Sequence, residues 1–308
     1  MFNCVVVCGP TASGKTRLGV QIAILLDGEI ISVDSRQVYK GMDIGTGKDL
    51  DEYQTERGSI PYHLIDIAHP SQIYTLYDYQ RDFYHCFNQI TKRKKSAIAV
   101  GGTGLYLEAV LKHYTIPPVP ENPELRKHLM LQDKEQLIEQ LKKENSTLFN
   151  DTDLSSKKRI VRALEVARAS LGEKQKLSKP SIAPLILYVT WEREKLKERI
   201  ELRLKSRLES GMIEEVSRLI ENGITQERLE LFGMEYRYIA RYLLGECDYQ
   251  QMYIDLRQSI FRLAKRQNTW FRGMERRGFS IKRIEEGNLD EACRILEDSS
   301  LFNRTNHL

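Results

Sequence analysis

Residues 4–16, CVVVCGPTASGKT, form an apolar run that changes abruptly into a glycine-rich loop. Residues 2–8 are short, β-branched and apolar on both faces, which predicts a buried parallel strand that Gly9 ends. The next eight residues, GPTASGKT, match the phosphate-loop pattern G-x-x-x-x-G-K-[ST] at every fixed position. A helix is predicted to begin at Gly14, so the motif lies between a strand and a helix, as it requires.

This loop predicts an anion site. Backbone amides at the start of a helix point towards a phosphate, and the Lys15 ammonium neutralises its oxygens. The hydroxyl of Thr16 can hold Mg²⁺, which we therefore expect as a cofactor with Thr16 as its protein ligand. The predicted phosphate-binding residues are Gly9, Pro10, Thr11, Ala12, Ser13, Gly14, Lys15 and Thr16.

Three later segments repeat the pattern of a buried strand. They are EIISVDS at 29–35, SAIAVGGTG at 96–104 and LILYVTWE at 185–192. Strands that alternate with helices predict an α/β fold of the P-loop NTPase-like kind, with a parallel sheet and helices on both faces. In such a sheet, ligands bind beyond the carboxyl ends of the strands.

Residues 119–182 differ in character from their surroundings. The proline-containing segments IPPVPENP and LSKPSIAP lie at the two borders, and the sequence between them has helical apolar spacing. We expect an all-α insertion domain there, and its basic segment KKRIVR at 157–162 predicts that this domain contacts RNA. Residues 1–118 and 183–308 then form the core domain, which is helical from Arg193 onward and has a long helix near 249–274.

Composition narrows the class of protein. The chain has 308 residues, 41% of them hydrophobic, and a formal net charge of +4. Its five cysteines show neither C-x-x-C spacing nor a cysteine and histidine cluster suited to zinc. The first residues lack a basic segment, and their apolar run is too short to export the chain or span a membrane. We expect a cytoplasmic protein with no membrane contact, and nothing in the pattern indicates an oligomer.

Two strand ends carry groups that could act on a substrate. Asp34 ends the second predicted strand, where its carboxylate would face the phosphate site and could accept a proton. The alternative is an aspartate that caps a helix or organises Mg²⁺. The segment GGTG at 101–104 would let a substrate approach the backbone and adds the Thr103 hydroxyl, although tight packing explains these glycines equally. Because no carboxylate ends this third strand, steady ATP hydrolysis is not expected.

The basic residues are concentrated near the carboxyl terminus. Between Arg257 and Arg283 there are nine Lys or Arg and one acid, Glu275, with Trp270 and Phe271 among them. Aromatic rings stack on bases while basic side chains reach phosphates, so this segment predicts RNA binding. A solvated helix face is the alternative. The segment KKRIVR at 157–162 is a second basic cluster.

Together these segments resemble the tRNA dimethylallyltransferases, also called tRNA isopentenylpyrophosphate transferases. The resemblance covers nearly the whole chain, and DSRQVYKGMDIGTGK and KRQNTWFR are far more specific than the phosphate loop. The sequence departs from the family pattern at FGMEYRYIARYLLGE, which is two residues longer than usual, and at DLSSKK, where the family has an Asn-Asp pair. The matching segments are GPTASGKT, IISVDSRQVYKGMDIGTGK, PYHLIDI, VGGTGLYLEAVL, RIVRALEV, RIELRLKSRLESGMIEEV and AKRQNTWFRG.

The resemblance implies transfer of a dimethylallyl group from dimethylallyl pyrophosphate to N6 of the adenine just 3′ of the tRNA anticodon. The products are N6-(dimethylallyl)adenosine and pyrophosphate, which the phosphate loop and Mg²⁺ hold. It implies Asp34, Thr103 and Lys15 as catalytic residues, with Asp34 as general base, and it implies that Thr103 and Arg126 help the loop to hold the pyrophosphate. The implied tRNA contacts are Asp34, Ser35, Arg36, Gln37, Thr103, Arg126, Lys158, Arg159, Ile160, Val161, Arg162, Lys265, Arg266, Gln267, Asn268, Thr269, Trp270, Phe271 and Arg272.

Two other functions fit part of the sequence. A small-molecule or nucleoside kinase would use Lys15 and Mg²⁺ to hold ATP and Asp34 to deprotonate an acceptor hydroxyl. It leaves the insertion and the KRQNTWFR segment without a role. A non-catalytic RNA-binding protein that retains the loop only as structure is the other alternative.

Overall fold

The structure is a computed structural model that describes residues 2–169 and 177–299. It divides into two compact units, of which the first joins Met1–Tyr114 to Lys179–Leu308 and the second is Thr115–Ser178. The insertion predicted at 119–182 therefore corresponds to a unit that begins and ends a few residues earlier. None of the described helices is both long and apolar enough to cross a membrane.

The first unit is built on a six-stranded sheet, and every strand pairing in it is parallel. Its strand order is β5-β2-β6-β1-β7-β8, and β3 and β4 form a separate antiparallel hairpin. The strands of the described residues are β1 (Cys4–Cys8), β2 (Gly28–Val33), β3 (Gln54–Thr55), β4 (Gly58–Ser59), β5 (Tyr62–His63), β6 (Ser96–Gly101), β7 (Pro184–Thr190) and β8 (Ile281–Glu285).

Helices follow or connect these strands, and the second unit consists of four of them, the fourth to the seventh. In chain order the helices of the described residues are α1 (Lys15–Leu25), α2 (Leu76–Lys92), α3 (Gly104–Leu111), α4 (Pro123–Met130), α5 (Lys134–Glu144), α6 (Ser146–Asp151), α7 (Lys157–Arg168), α8 (Arg193–Glu209), α9 (Met212–Glu221), α10 (Gln226–Phe232), α11 (Met234–Leu243), α12 (Tyr249–Arg276) and α13 (Leu289–Asp298).

The predicted buried strands are confirmed, because β1 lies at the centre of the sheet with every side chain buried. Val5 and Val7 on one face pack in a core with Leu18 and Ile22 of α1. Val6, on the opposite face, is also fully buried, so the sheet is covered on both sides. That double burial is why β1 is a continuous apolar run rather than an alternating one.

The two edge strands, β5 and β8, were not among the predicted strands. In β8 only Ile284 is buried, and the sequence IKRIE carries charges on most of the remaining positions. The strand β5 has two residues, both partly exposed. Short or charged edge strands lack the apolar pattern of central strands, which explains why the sequence did not reveal them.

Helices α8 to α12 share a second core within the first unit. Met212 and Val216 of α9, Phe232 of α10, Ile239 of α11 and Leu256 of α12 are all buried in it. The long helix predicted near 249–274 is α12, which runs two residues further, to Arg276. This core packs α8 and α12 against the segments that follow β1 and β2, and both helices supply side chains to the site described below.

The second unit has a small core of its own. Leu129 of α4, Leu137 and Leu141 of α5, and Leu164 of α7 are fully buried in it. The neighbouring residues of α7 at 160–161 belong to the same core. This burial follows from the helical apolar spacing, which the sequence already showed for this region.

Candidate active site

A cavity of about 450 Å³ opens at the carboxyl edge of the sheet, where the loops after β1, β2 and β6 meet α8 and α12. Lys15, Asp34 and Thr103, the three predicted catalytic residues, all line it. The predicted site residues that line this cavity are Thr11, Lys15, Thr16, Asp34, Ser35, Arg36, Gln37, Thr103, Arg266, Gln267 and Trp270. The parallel topology explains why residues distant in sequence line one cavity, because β1, β2 and β6 all end at the same edge of the sheet.

The phosphate loop connects β1 to α1 and holds an unusual backbone conformation. Gly14, which caps α1, has φ 82°, a left-handed value that suits glycine. Ala12 also has a positive φ, 60°. Among the described residues, the buried hydroxyl of Ser13 has no hydrogen-bond partner. A strained loop with an unpaired hydroxyl at a helix start has the features of an anion cradle.

Lys15 is held at the base of the cavity, where its Nζ donates to the carbonyl oxygen of Pro10 at 3.2 Å. Burial lowers its pKa to about 8, and the nearby guanidinium of Arg203 contributes to this decrease, while Asp34 and Asp49 act in the opposite direction. Burial and a neighbouring cation thus both disfavour the charged form of Lys15. An anion placed next to Lys15 would relieve this cost and favour the charged ammonium.

Three arginines of α8 face the phosphate loop, although the sequence did not single them out as site residues. Arg199 Nε donates to the carbonyl oxygen of Ala12 at 2.9 Å, and Arg203 Nη1 lies 3.5 Å from the Thr11 hydroxyl. Arg203 and Arg207 both pair with Asp49. Their spacing of four residues puts them on one helix face, and this signal is present in the segment RIELRLKSRLE.

The same loop faces a second cavity, of about 290 Å³. Lys15, Thr16 and Arg203 line both cavities, and Asp49 and Glu52 line the second one. Burial alone would raise the pKa of Asp49. The guanidinium groups of Arg203 and Arg207 have the larger, opposite effect, so the pKa is lowered and the carboxylate stays ionised. Positive charge is therefore available on both sides of the loop, balanced by a fixed carboxylate.

Asp34 lies directly after β2, as predicted. Its Oδ1 accepts a hydrogen bond from the backbone N–H of Arg36 at 2.8 Å, which fixes the carboxylate at the cavity wall. The backbone N–H of Ser35 donates to Thr103 Oγ1 at 3.1 Å. Because that hydroxyl oxygen already accepts, its own proton can be donated to another group in the cavity. Asp34 and Thr103 therefore offer one acceptor and one donor side by side.

Gln267 of α12 connects two parts of the site. Its Oε1 accepts from the backbone N–H of Thr11 at 2.8 Å, and its Nε2 donates to the carbonyl oxygen of Gly102 at 3.1 Å. Gln37, another predicted contact, is also engaged, since its Nε2 donates to the carbonyl oxygen of Gly47 at 3.0 Å. Both glutamines thus organise the protein around the cavity.

The remaining predicted residues of α12 fall into two groups. Lys265, Arg266, Thr269, Trp270 and Arg272 are exposed on one side of the helix. In contrast, Asn268 is half-buried and accepts a hydrogen bond from the Tyr188 hydroxyl, and Phe271 is 2% exposed and packs on the Tyr188 ring.

The prediction that the Phe271 side chain contacts RNA is therefore wrong for this structure. The ring faces the sheet, because the position falls on the apolar stripe of α12. The same correction applies to Ile160 and Val161 of α7, which are 0% and 2% exposed in the core of the second unit.

The basic residues of the second unit are arranged around a buried carboxylate, that of Glu165. Arg126 Nη2 pairs with it at 2.9 Å, and Arg162 Nη1 at 2.5 Å. Lys158 and Arg159 at the start of α7 are exposed. Three of these four basic residues are thus held in ion pairs, Arg126 and Arg162 with the buried Glu165 and Arg159 with Asp153.

The sequence of this chain is similar to that of known proteins over most of its length. A sequence profile of the IPP transferase family matches residues 37–274. A protein named tRNA dimethylallyltransferase 1 from Geotalea uraniireducens is 50% identical over 296 residues, covering 96% of this chain and 97% of that protein.

Solved structures agree with the sequence comparison. The crystal structure of full-length tRNA isopentenylpyrophosphate transferase from Bacillus halodurans is 28% identical, with a TM-score of 0.69 and coverage of 99% of this chain and 98% of that one. A eukaryotic dimethylallyltransferase, 22% identical over 99% of this chain and 80% of its own, has the same fold with a TM-score of 0.79. The chain therefore belongs to the IPP transferase family, the tRNA dimethylallyltransferases.

Proposed function

We propose that this protein transfers the dimethylallyl group of dimethylallyl pyrophosphate to N6 of the adenine just 3′ of the anticodon in tRNA. The observation that supports the proposal most directly is one cavity that joins Asp34 and Thr103 to the phosphate-loop Lys15 and to Trp270 of α12. A proton acceptor, a leaving-group site and an aromatic surface are the three parts that the reaction needs.

The proposed step forms one bond and breaks another. The adenine N6 attacks C1 of the dimethylallyl group, the C1–O bond breaks, and its electron pair leaves with pyrophosphate. Asp34 takes the proton that N6 loses. The exocyclic amine is a poor nucleophile because its lone pair is delocalised into the ring, so a positioned base contributes substantially. The Thr103 hydroxyl can hydrogen-bond a substrate beside Asp34.

The phosphate loop stabilises the leaving group. Lys15, the amides at the start of α1 and the guanidinium of Arg203 present positive charge to the pyrophosphate as its charge develops. For Mg²⁺ the protein offers one ligand here, the Thr16 hydroxyl. No cluster of three His, Cys, Asp or Glu ligands exists among residues 2–169 and 177–299. Such a site suits an ion held mainly by phosphate oxygens and water, which would neutralise the leaving group.

The tRNA would meet the protein through the exposed face of α12 and through the basic residues of the second unit. A target base in a structured loop must leave its stack to reach the Asp34 cavity. Trp270, which is 36% exposed at the cavity, offers a ring on which a base can stack, and Arg266 beside it can contact phosphate. We propose that the protein acts as a monomer in the cytoplasm, where tRNA is available.

The kinase alternative is not favoured, because the family match extends to residue 274 and includes the α12 segment for which a kinase has no use. ATP-dependent phosphorylation of a small acceptor, independent of tRNA, would revive it.

The direct test is to incubate the protein with unmodified tRNA, Mg²⁺ and dimethylallyl pyrophosphate labelled in the prenyl group. We expect label in tRNA at the adenine next to the anticodon and an equal amount of pyrophosphate released. A folded protein that leaves the tRNA unlabelled would refute the proposal. The Lys15→Ala variant is the negative control, because without the Lys15 ammonium the protein should release no pyrophosphate.

A further inference from the structure

Glu215 of α9 is a buried carboxylate that no part of the proposed reaction uses. Its side chain is 3% exposed. Oε2 accepts hydrogen bonds from the backbone N–H groups of Asp43 at 2.7 Å and Ile44 at 2.8 Å. Oε1 accepts from the N–H of Gly45 at 3.0 Å and from the hydroxyl of Tyr236 at 2.7 Å. Three consecutive amides converge on one carboxylate, as in backbone nests that bind anions.

The segment that Glu215 holds, residues 42–48, is called here the 42–48 loop. Lys48 secures its other end, with a side chain 1% exposed whose Nζ donates to the Tyr39 carbonyl oxygen at 2.8 Å and to Asp43 Oδ1 at 2.5 Å. A Cβ on Gly45 would lie 2.7 Å from the Tyr236 hydroxyl, so this close approach requires glycine. The buried carboxylate of Glu215 and the buried ammonium of Lys48 thus fix the two ends of the loop.

The 42–48 loop forms part of the cavity wall through Gly45, Thr46 and Gly47. The Gly47 carbonyl oxygen holds the Gln37 side chain. Asp49, directly after the loop, holds two of the α8 arginines that face the phosphate loop. A displacement of this loop would therefore move groups on both the adenine side and the pyrophosphate side of the cavity.

We propose that Glu215 is a positioning residue for prenyl transfer, acting through the 42–48 loop on Gln37 and on the pairing of Asp49 with Arg203 and Arg207. This inference rests on the proposed function. Glu215 does not line the cavity, so it would act only through the loop. Its removal should leave both substrates able to bind while the reacting groups lose their alignment, so the loss should appear in kcat more than in KM. A misplacement of about 1 Å in such a site can cost on the order of 100-fold in rate.

The test compares Glu215→Gln with Glu215→Ala. The amide of glutamine can still accept from Asp43 and Ile44 through its carbonyl oxygen, but its NH₂ group would face the N–H of Gly45. We expect kcat at saturating tRNA and donor to fall about 10-fold in the Gln variant and about 100-fold in the Ala variant. Glu29→Gln is the matched control, because Glu29 is also buried but pairs with Arg93 and His63, away from the cavity. It should lower the melting temperature and leave kcat unchanged.

Hydrogen exchange of the peptide that contains the 42–48 loop gives a readout independent of activity. In the Gln variant the Gly45 amide should exchange faster while the amides of Asp43 and Ile44 stay protected. Unchanged exchange, or a folded Gln variant with wild-type kcat, overturns the inference. If the Glu215 variants do not fold, Tyr236→Phe, which removes one of the four hydrogen bonds, decides by the same two measurements. A wild-type protein without transferase activity refutes the proposed function instead, and the exchange result still tests the anchoring of the loop.

Discussion

Single charges determine much of what this site can do. Burial lowers the pKa of Lys15 and so disfavours its ammonium charge, whereas Arg203 and Arg207 lower the pKa of Asp49 and keep its carboxylate ionised. The same physical rule acts in both cases, since burial disfavours a charge until an opposite charge compensates it. A pyrophosphate would supply that compensation to Lys15.

The first prediction concerns Asp34. Asp34→Asn keeps an oxygen that can accept from the Arg36 N–H, so the loop geometry is retained while the basic carboxylate is lost. We expect the single-turnover rate of prenyl transfer to fall about 10²- to 10⁴-fold, the range for loss of a general base. Affinity for tRNA, measured by filter binding, should change little. A matched Asp51→Asn variant, at an exposed position, should behave as wild type. Loss of tRNA binding in the Asp34→Asn variant would instead mark Asp34 as a contact residue.

The second prediction concerns pH. The lowered pKa of Lys15, about 8, means that its ammonium is charged below pH 8 and neutral above it in the free protein. The value of kcat/KM for the donor should therefore be constant up to about pH 8 and decrease above it. Lys15→Arg should remove this inflection, because a guanidinium stays protonated throughout. A wild-type profile that remains flat to about pH 9.5, well above this pKa, would contradict the assignment.

The same shift makes a prediction about stability. Because the folded protein disfavours the charge, Lys15 destabilises it at pH 7, and this cost is lost as pH rises from about 8 towards the unfolded value of 10.5. Lys15→Met should therefore raise the melting temperature at neutral pH while it abolishes pyrophosphate binding. A gain that persists undiminished at about pH 10 would have another cause, such as better packing of the methionine side chain.

At the scale of elements, α12 combines structure and recognition. One face packs Phe271 against the sheet, and another exposes basic residues and Trp270. Gln267 lies between these faces and bonds to the loops after β1 and β6. The helix thus links the surface proposed for tRNA to the loop proposed for pyrophosphate.

The Gln267 link can be tested directly. Gln267→Leu would leave the Thr11 N–H and the Gly102 carbonyl without this partner, at a cost below the ~1–3 kcal/mol of a fully buried group, since both hydrogen bonds are partly buried. We expect kcat/KM for the donor to fall about tenfold as the phosphate loop shifts. Gln251→Leu, at an exposed position of the same helix, is the control and should change neither quantity. Weaker tRNA binding with intact donor kinetics would instead support a direct RNA contact.

The exposed arginines of α12 make a different prediction. Arg266→Gln and Arg272→Gln should weaken tRNA binding and reduce the slope of log Kd against log salt concentration by about 0.7–0.9 for each phosphate that is no longer neutralised. Donor binding should remain as in wild type for Arg272→Gln. The control is Arg193→Gln, whose side chain is 86% exposed at the start of α8. An unchanged salt slope would show that α12 does not touch phosphates.

At the scale of the whole molecule, the second unit interrupts the first without breaking its core. The two ends of the interruption are adjacent, since Lys179 Nζ donates to the carbonyl oxygen of His113 at 2.7 Å. Replacing residues 115–178 with a short Gly/Ser linker should therefore leave a folded first unit that binds pyrophosphate. Its affinity for tRNA should fall at least about tenfold, because the basic side chains of the second unit can no longer neutralise phosphates. Full tRNA affinity in this variant, measured beside its circular dichroism melting curve, would contradict a role of the second unit in binding.

The amino-acid sequence alone indicated the central strands, the phosphate loop, the helical second unit and α12, because each carries a local pattern of burial or a motif with a fixed spacing. It also pointed to Asp34 and Thr103 through their position at strand ends. It did not reveal the edge strands β5 and β8, of which the first has only two residues and the second is largely charged.

Only the tertiary structure showed that Arg203 and Arg207 face the loop, that Gln267 bonds to it, that Phe271 is buried and that Glu215 holds the 42–48 loop. The physical reason is that local patterns report which face of an element is apolar, whereas a partner across the fold depends on how distant elements pack. A charged residue on α8 or α9 is surrounded by the same kind of sequence whether its side chain faces solvent or accepts from a backbone amide. The sequence therefore determined the elements and their chemistry, and packing decided which side chains act together.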